Sequence, residues 1–233
     1  MNTTFRILSL VGLLILAACA GFREGYPPAT NPFLAGAPSL ETVKLPPTRV
    51  ALIWLEPAGT PAPVTAQRAL AEKIKNQFLT GKRLEIVGAA TIPAVPGDVL
   101  SEVRKTAQPF NVQQVLVVMP RGTEVTTPVR LQYGRDGTAI GTRTDSYTSL
   151  TLVGVDLASG KSLYSLVANG DARLLKTDYE DARPWYPRIS PGLTSSAYIY
   201  PERSVFPPGE VHAVALEQAV NKLIYELDRA VGS

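Results

Sequence analysis

The chain is poor in the two residue types that most often carry chemistry, since its 233 residues include one cysteine and one histidine. The single cysteine, Cys19, excludes an intrachain disulfide, so the fold must be stabilised by its core. The single histidine, His212, excludes a metal site built on imidazoles and leaves a serine nucleophile only one base. The sequence also has no Gly-x-Ser-x-Gly and no Ser-x-x-Lys motif. We therefore expect no enzyme, no cofactor and no metal site.

Excess charge is also small. The formal net charge is +3, and one of the cations, Arg6, lies in the first few residues. So small an excess predicts no nucleic-acid partner. A hydrophobic content of 45% with 18% charged residues is typical of a globular chain. We interpret His212, at the start of the last predicted helix, as a surface histidine.

The N-terminus has the layout of a secretory signal peptide. Arg6 precedes an apolar run from Ile7 to Leu16, and small residues follow at Ala17 and Ala18. A transmembrane helix needs about 20 apolar residues, so this run is too short to span a bilayer. An ordinary cleaved signal that happens to contain a cysteine is the alternative.

Leu16-Ala-Ala-Cys19 resembles, position for position, the lipobox of bacterial lipoproteins. The resemblance implies diacylglycerol on the Cys19 thiol, cleavage between Ala18 and Cys19, and acylation of the new amino terminus. The membrane would then be one partner of the chain. Ala20 stands where an Asp would favour the inner membrane. The resemblance therefore implies the inner leaflet of the outer membrane, with the domain facing the periplasm.

The chain divides into a signal peptide (1–18), a lipidated cysteine with a proline-rich tether (19–48) and one domain (49–233). The tether has little periodicity, and at the rise of a polyproline helix it would reach on the order of 80–90 Å. In the alternative, Phe33 and Leu34 pack back onto the domain.

Hydrophobic periodicity predicts an α/β (α+β) domain with a mixed sheet. Strands and helices alternate as β-α-β-α-β, which indicates parallel pairing, and an antiparallel meander follows. Helices pack on the sheet, and an amphipathic helix ends the chain. The predicted strands and helices are 49–55, 64–80, 84–87, 98–107, 112–119, 129–133, 138–144, 147–156, 162–172 and 210–231.

Gly160-Lys-Ser162 looks like the end of a phosphate-binding loop, but the spacing is wrong. Gly154 lies one residue too early, and Val155 stands where the loop needs its first glycine. The segment after Ser162 also predicts a strand, whereas a phosphate-binding loop opens a helix. We therefore expect a hairpin turn from Asp156 to Lys161.

A long irregular stretch rich in proline, aromatic residues and arginine lies between residues 174 and 209. Aromatic and arginine side chains often anchor protein contacts, and long loops in compact domains are often functional. We therefore predict a partner-binding face here. The alternative is that these rings only clamp the loop to the sheet and the last helix. The predicted contact residues are Trp185, Tyr186, Arg188, Tyr198 and Tyr200.

The order of elements from Arg49 onward resembles bacterial envelope lipoproteins of the curli-secretion and penicillin-binding-protein-activator type, and the rhombotarget lipoproteins. The turn residues Asp156, Ser159, Gly160 and Lys161 are the best local match. The resemblance implies a non-catalytic, lipid-anchored binding or accessory protein whose partner is an envelope protein or is associated with peptidoglycan. The alternative is a subunit of an oligomeric outer-membrane secretion or assembly complex, with membrane hairpins from residues 129–155.

Overall fold

Two parallel β-α-β units begin the fold. The computed structural model describes residues 25–42, 48–57, 63–79, 83–94, 97–133, 137–177, 196–199 and 209–232. Its first strand pairs in parallel with the second and the third strands. The elements of these units are β1 (Thr48–Pro57), α1 (Val64–Gln77), β2 (Leu84–Ala94), α2 (Val99–Ala107) and β3 (Gln114–Tyr133).

An antiparallel half follows. It contains β4 (Gly137–Asp156), β5 (Ser162–Thr177), a short β6 (Ser196–Ile199) and the last helix, α3 (Glu210–Gly232). The strand order is β2-β1-β3-β4-β5-β6. This mixed sheet with helices packed on it confirms the predicted α/β (α+β) class.

The strands are longer than the apolar pattern predicts. β3 was expected to end at Met119 but runs on to Tyr133, and β4 is one strand where two were expected. Backbone pairing between β3 and β4 is continuous from Gln114 opposite Asp156 to Tyr133 opposite Gly137. Hydrophobic alternation reports burial, whereas the ladder of backbone hydrogen bonds continues beyond the buried part.

The sheet is covered on both faces, and β1 shows why. All six residues of Val-Ala-Leu-Ile-Trp-Leu, 50–55, are 0% exposed. Val50, Leu52 and Trp54 join the core under α1 and α3, which we call the helix face. Their neighbours join a second core with α2, which we call the strap face. Each fully buried side chain of this kind contributes about 1.5–3 kcal/mol.

Residues 25–42, which we call the strap, lie on the sheet and give the strap face its name. Phe33 is 9% exposed, and Leu34 packs against the same core. The interpretation of this part of the chain as an extended tether is therefore wrong, and the alternative in which Phe33 and Leu34 pack back is what the structure has. At its far end Leu40, 1% exposed, joins the helix-face core.

The predicted turn from Asp156 to Lys161 is confirmed. Asp156 Oδ1 accepts hydrogen bonds from the backbone N–H and the hydroxyl of Ser159, both at 2.7 Å. The Ser159 N–H bond is the largest cause of the lowered pKa of Asp156. Gly160 has a φ of +71°, which a glycine adopts without strain. Lys161 is exposed ahead of β5, so this glycine-lysine pair is a hairpin turn and opens no helix.

Candidate functional site

A polar cluster is built where the β3–β4 hairpin passes beneath the start of α3. Glu124 and Ser146 are directly opposite each other in the antiparallel register. Gly122 and Thr148 form the pair two residues along. Because side chains alternate along a strand, these four positions share one face of the sheet. That face is the helix face.

His212, the third residue of α3, lies on this group. It is 0% exposed, so the sequence interpretation of a surface histidine is wrong. Its Nδ1 is 2.7 Å from Ser146 Oγ. The ring occupies the space that a side chain at Gly122 would need, since a Cβ there would stand 1.6 Å from His212 Cε1. The cluster therefore depends on a glycine within a strand, the usual sign of a close approach.

The carboxylate of Glu124 holds the end of the helix. It accepts a hydrogen bond from the backbone N–H of His212, one of the first-turn donors that have no partner within a helix. Negative charge is also favourable at this positive end of the helix dipole. Burial is nevertheless the larger effect on this group, and it raises the pKa of Glu124.

His212 is neutral in the folded protein near pH 7, because burial lowers its pKa to about 4. Ser146 Oγ also lies 3.4 Å from the carbonyl oxygen of Thr123. The hydroxyl can donate its one hydrogen either to Nδ1 or to that carbonyl, depending on the histidine tautomer. In both tautomers the other ring nitrogen, Nε2, has no hydrogen-bond partner among the described residues.

Two further buried oxygens of this cluster are without partners in the described part of the chain, Glu124 Oε2 and Thr148 Oγ1. Three unpaired polar atoms in one cluster are unusual, since buried polar groups normally form hydrogen bonds. The local arrangement therefore has capacity for further hydrogen bonds.

The contacts of His212 differ from those of a catalytic triad. In a Ser-His-Asp triad the serine approaches one ring nitrogen and the carboxylate orients the other. Here the carboxylate of Glu124 bonds the backbone of His212, and the ring nitrogen opposite Ser146 is unpaired. Ser146 itself is 0% exposed within β4. The arrangement fits a structural link between α3 and the hairpin better than a nucleophile and its base.

The strap face carries a second polar group at the same level of the sheet. Asp145, 3% exposed, forms ion pairs with Arg143 at 2.6 Å and with Arg173 across the strands. Two residues along, Tyr26 of the strap donates a hydrogen bond of 2.5 Å to Asp171. The Tyr26 ring meets Tyr147 edge-on at a centroid distance of 5.6 Å. This group fixes the start of the strap on the sheet.

Besides the packing of Phe33, Leu34 and Leu40, the rest of the strap is held by hydrogen bonds between side chains and backbone. Ser149 Oγ donates to the carbonyl of Pro27 at 2.7 Å, and Asn31 Nδ2 donates to the carbonyl of Val117 at 3.2 Å. Ser162 Oγ donates to the carbonyl of Phe33 at 2.5 Å. Each such bond contributes about 0.5–1.5 kcal/mol and adds to the burial of Phe33 and Leu40.

The structure bears little on the site residues predicted from the sequence. Ala18, Cys19, Trp185, Tyr186, Arg188 and Tyr200 lie outside the described residues. Tyr198 lies in β6, opposite Arg173, and only its backbone position is described. Lipidation and the partner-binding face therefore stay predictions.

The sequence did not single out Glu124, Ser146 or the polar contacts of the strap, although it offered the packing of Phe33 and Leu34 as an alternative. A glycine at position 122, inside a strand, was the one available signal. Among the described residues no group of three His, Cys, Asp or Glu is placed to hold a metal ion. Of the helices the structure describes, none has the length and apolar composition to cross a membrane.

The C-terminal part of the segment proposed for membrane hairpins, residues 145–155, belongs to the core. Leu150 and Leu152 of β4 are 0% exposed under the helices, and Val153 and Val155 are 0% exposed on the strap face. Residues 145–155 therefore have both faces covered within this domain. They present no apolar surface to lipid.

A scan against protein-family models gives no match, and a search of curated proteins gives none either. Among solved structures, the chain is similar to a neuraminyllactose-binding hemagglutinin homologue from Helicobacter pylori. The identity is 11% and the TM-score 0.41, over 89% of this chain and 92% of that one.

Two other similar structures are also bacterial proteins. A Xanthomonas campestris protein of DUF330 is 13% identical, with a TM-score of 0.32 over 84% of this chain and 88% of that one. A lipoprotein from Neisseria meningitidis is 17% identical, with a TM-score of 0.25 over 55% and 84%. Likenesses at this level concern the fold alone, and no functional argument rests on them.

Proposed function

We propose that this protein is a lipid-anchored accessory protein of the bacterial cell envelope that acts by binding and performs no chemistry. The Leu-Ala-Ala-Cys19 stretch supports the anchor. The observation that carries the binding role is the state of His212, the only histidine of the chain. It is buried, neutral and engaged with Ser146 between α3 and the sheet, so its geometry serves the structure and not proton transfer to a substrate.

The anchor is tested first by comparing the wild-type chain with Cys19→Ala. We expect the wild type in the membrane fraction, with its N-terminal peptide increased in mass by acyl chains. The Cys19→Ala form should be soluble or retain its signal peptide. An unmodified Cys19 in a mature, secreted chain would contradict the anchor.

Binding is tested by crosslinking in intact envelopes. The wild type is compared with a double variant, Trp185→Ala with Tyr200→Ala, that replaces the most prominent rings of the predicted face. A specific envelope protein or peptidoglycan adduct should be lost in the double variant while its far-ultraviolet circular dichroism is unchanged. Retention of every adduct would remove that face from the proposal.

Catalysis has its own test. His212→Asn, which keeps a polar atom near the position of Nδ1, should support the same envelope phenotype as the wild type whenever the protein folds. If a folded His212→Asn protein fails in the envelope while its crosslinks persist, a chemical role for the histidine replaces the binding role.

A further inference from the structure

The strap runs over the sheet in one direction. Along β4, its contacts occur in chain order, from Tyr26 at Tyr147, through Pro27 at Ser149, to Phe33 at Ser162, which is paired with Val155. The strap therefore enters the sheet near its middle and travels away from the β3–β4 hairpin. Its far end is fixed at β5 by the hydrogen bond from Ser165 N–H to the carbonyl of Pro38 at 2.7 Å.

The covalent distance from the anchor to this entry point is short. Gly25 is the sixth residue after Cys19. Six residues span at most about 20 Å even when fully extended. The strap therefore reduces the reach of the domain from the 80–90 Å expected for a free tether to roughly a quarter of that value.

The domain is longer than this reach on both sides of the entry point. Tyr147 lies ten residues after Gly137 and nine before Asp156 in β4. At about 3.3 Å per residue, each arm of the strand is about 30 Å long. If the sheet stood upright on either end, the entry point would be about 30 Å above the bilayer. The tether reaches only about 20 Å, so a lipid-bound chain cannot stand upright.

We infer that the strap holds the sheet lengthwise on the membrane, with the strap face of β3–β5 against the lipid headgroups. This inference rests on the proposed lipid anchor. The helix face, beneath α1 and α3, is the face turned away from the bilayer.

The exposed side chains around the entry point suit a lipid surface. Tyr26 is 40% exposed although its hydroxyl is bonded, and Val167 of β5 is 43% exposed. Tyrosine is enriched at membrane interfaces because its ring is apolar and its hydroxyl polar. Arg121 of β3, opposite Ser149, is exposed on the same face. Guanidinium groups form paired hydrogen bonds with phosphate oxygens of lipid headgroups.

The test uses two labels on one strand. Thr123 and Thr126 of β3 are both exposed, but they lie on opposite faces, Thr123 on the strap face and Thr126 on the helix face. Cys19 is the only native cysteine and its thiol carries the lipid in the proposed form, so Thr123→Cys and Thr126→Cys can each be labelled singly. The lipidated full chain is placed in phosphatidylethanolamine–phosphatidylglycerol vesicles containing a headgroup nitroxide quencher.

We expect several-fold stronger quenching of the label at position 123 than at position 126. A third variant, Ala158→Cys, places a label at the turn beyond Asp156, where quenching should be intermediate or close to that at position 123 if the sheet lies lengthwise. Equal quenching at 123 and 126, or stronger quenching at 126, would overturn the inference. Strong quenching at only one end of the sheet would overturn it as well.

The strap itself is tested by adding Tyr26→Ala with Asn31→Ala to each labelled chain. These changes remove the edge-on ring contact, two hydrogen bonds to the sheet and the one that Asn31 accepts from Phe33, and they alter no residue of the sheet. The difference in quenching between positions 123 and 126 should become smaller. If protease cleaves the strap of these variants readily, so that the strap has detached, and the difference in quenching is unchanged, the strap does not orient the domain. A chain that carries no acyl group and does not float with vesicles would contradict the proposed lipid anchor. An acylated chain whose labels at positions 123 and 126 are quenched equally would contradict only the proposed orientation.

Discussion

The two faces of the sheet are covered by different means. The helix face is closed by α1 and α3, whose apolar stripes meet a core of large side chains. The strap face is closed partly by α2 and partly by the strap, whose regular structure is limited to a 3-10 helix at Leu40–Thr42 and a single β-bridge from Ser39 to Ser165. Helices form their backbone hydrogen bonds internally and contribute whole stripes of apolar surface. Backbone carbonyl groups of the strap instead accept hydrogen bonds from single serine side chains of the sheet, Ser149 and Ser162.

The two faces differ in how much their coverings contribute to global stability and in how easily they open locally. A helix packed on a sheet by Leu216, Leu223 and Leu227 is part of the cooperative core. A strap held by a few apolar side chains and scattered hydrogen bonds can open locally without unfolding the rest. The chain thus combines a rigid domain with a connection to its N-terminus that can be weakened independently.

The largest expected difference between the faces comes from deleting one apolar side chain on each. Leu216→Ala removes a side chain that is 0% exposed and should lower the free energy of unfolding by about 2–5 kcal/mol. Phe33→Ala should lower it by less, because the strap can detach and thereby limit the loss. Urea denaturation of both variants measures this. A greater global loss for Phe33→Ala would mean that the strap is part of the cooperative core.

Acid should weaken the helix face in particular. The pKa of His212 is lowered by burial from 6.5 to about 4, so between these values the unfolded chain binds the proton more readily than the folded one. The free energy of unfolding therefore falls as the pH falls through this window, by up to about 3 kcal/mol. Glu124 opposes part of the loss near the acid end, because its raised pKa favours the protonated carboxyl in the folded state.

Urea denaturation at pH 7 and pH 4.5 measures this dependence. His212→Asn should flatten it, whereas Ser146→Ala should leave it in place since the histidine stays buried. A wild-type protein with equal stability at the two pH values, or a His212→Asn variant that is just as sensitive to acid, would contradict a buried neutral histidine.

The close approach of α3 to β5 can be tested with one methyl group. A Cβ at Gly170 would lie 2.2 Å from the carbonyl oxygen of Ala215 and 2.4 Å from the backbone nitrogen of Ala219, so the helix must shift. Gly170→Ala should cost about 1–3 kcal/mol, as overpacked sites do. Gly25→Ala on the strap, where nothing lies within 4 Å, is the matched control and should have little effect in thermal denaturation. Equal melting temperatures for the two variants would place α3 farther from the sheet.

The smallest effect belongs to a single hydrogen bond of the strap. Ser149→Ala removes the bond to the carbonyl of Pro27 and should weaken strap binding by about 1 kcal/mol. Amide hydrogen exchange and protease cleavage within residues 25–42 should accelerate while the global unfolding transition stays in place. Ser101→Ala, at an exposed position of α2, is the control. If both variants exchange alike along the strap, this bond does not hold it.

Much of the sheet and its helices follow from local pattern. The run Val50 to Leu55 predicts a strand covered on both faces, and the four-residue spacing of Leu70, Ile74 and Phe78 predicts α1. These patterns are predictive because the buried face of a helix or strand needs apolar residues, which therefore recur with the period of that backbone structure. The strand lengths could not be predicted in the same way. Beyond Arg121, pairing of β3 with β4 is decided by backbone hydrogen bonds, which carry no side-chain signature.

The polar cluster could not be predicted from local sequence patterns, for a different reason. His212 lies 66 residues from Ser146, and only the crossing of α3 over the hairpin brings them together. A histidine near a helix start is compatible with either exposure or burial. Gly122 indicates a close approach within a strand but does not say which residue makes it.

By itself the sequence determined the α/β class, the position of each helix, the turn from Asp156 to Lys161 and the signal-like start that ends at Cys19. All of these are set by neighbours a few residues apart, through apolar periodicity, turn chemistry and short motifs. Tertiary structure alone decided that the proline-rich segment is a strap and that the one histidine is buried. Both depend on partners more than 60 residues away in the chain, and such contacts form only when the sheet has brought distant backbone and side-chain groups together.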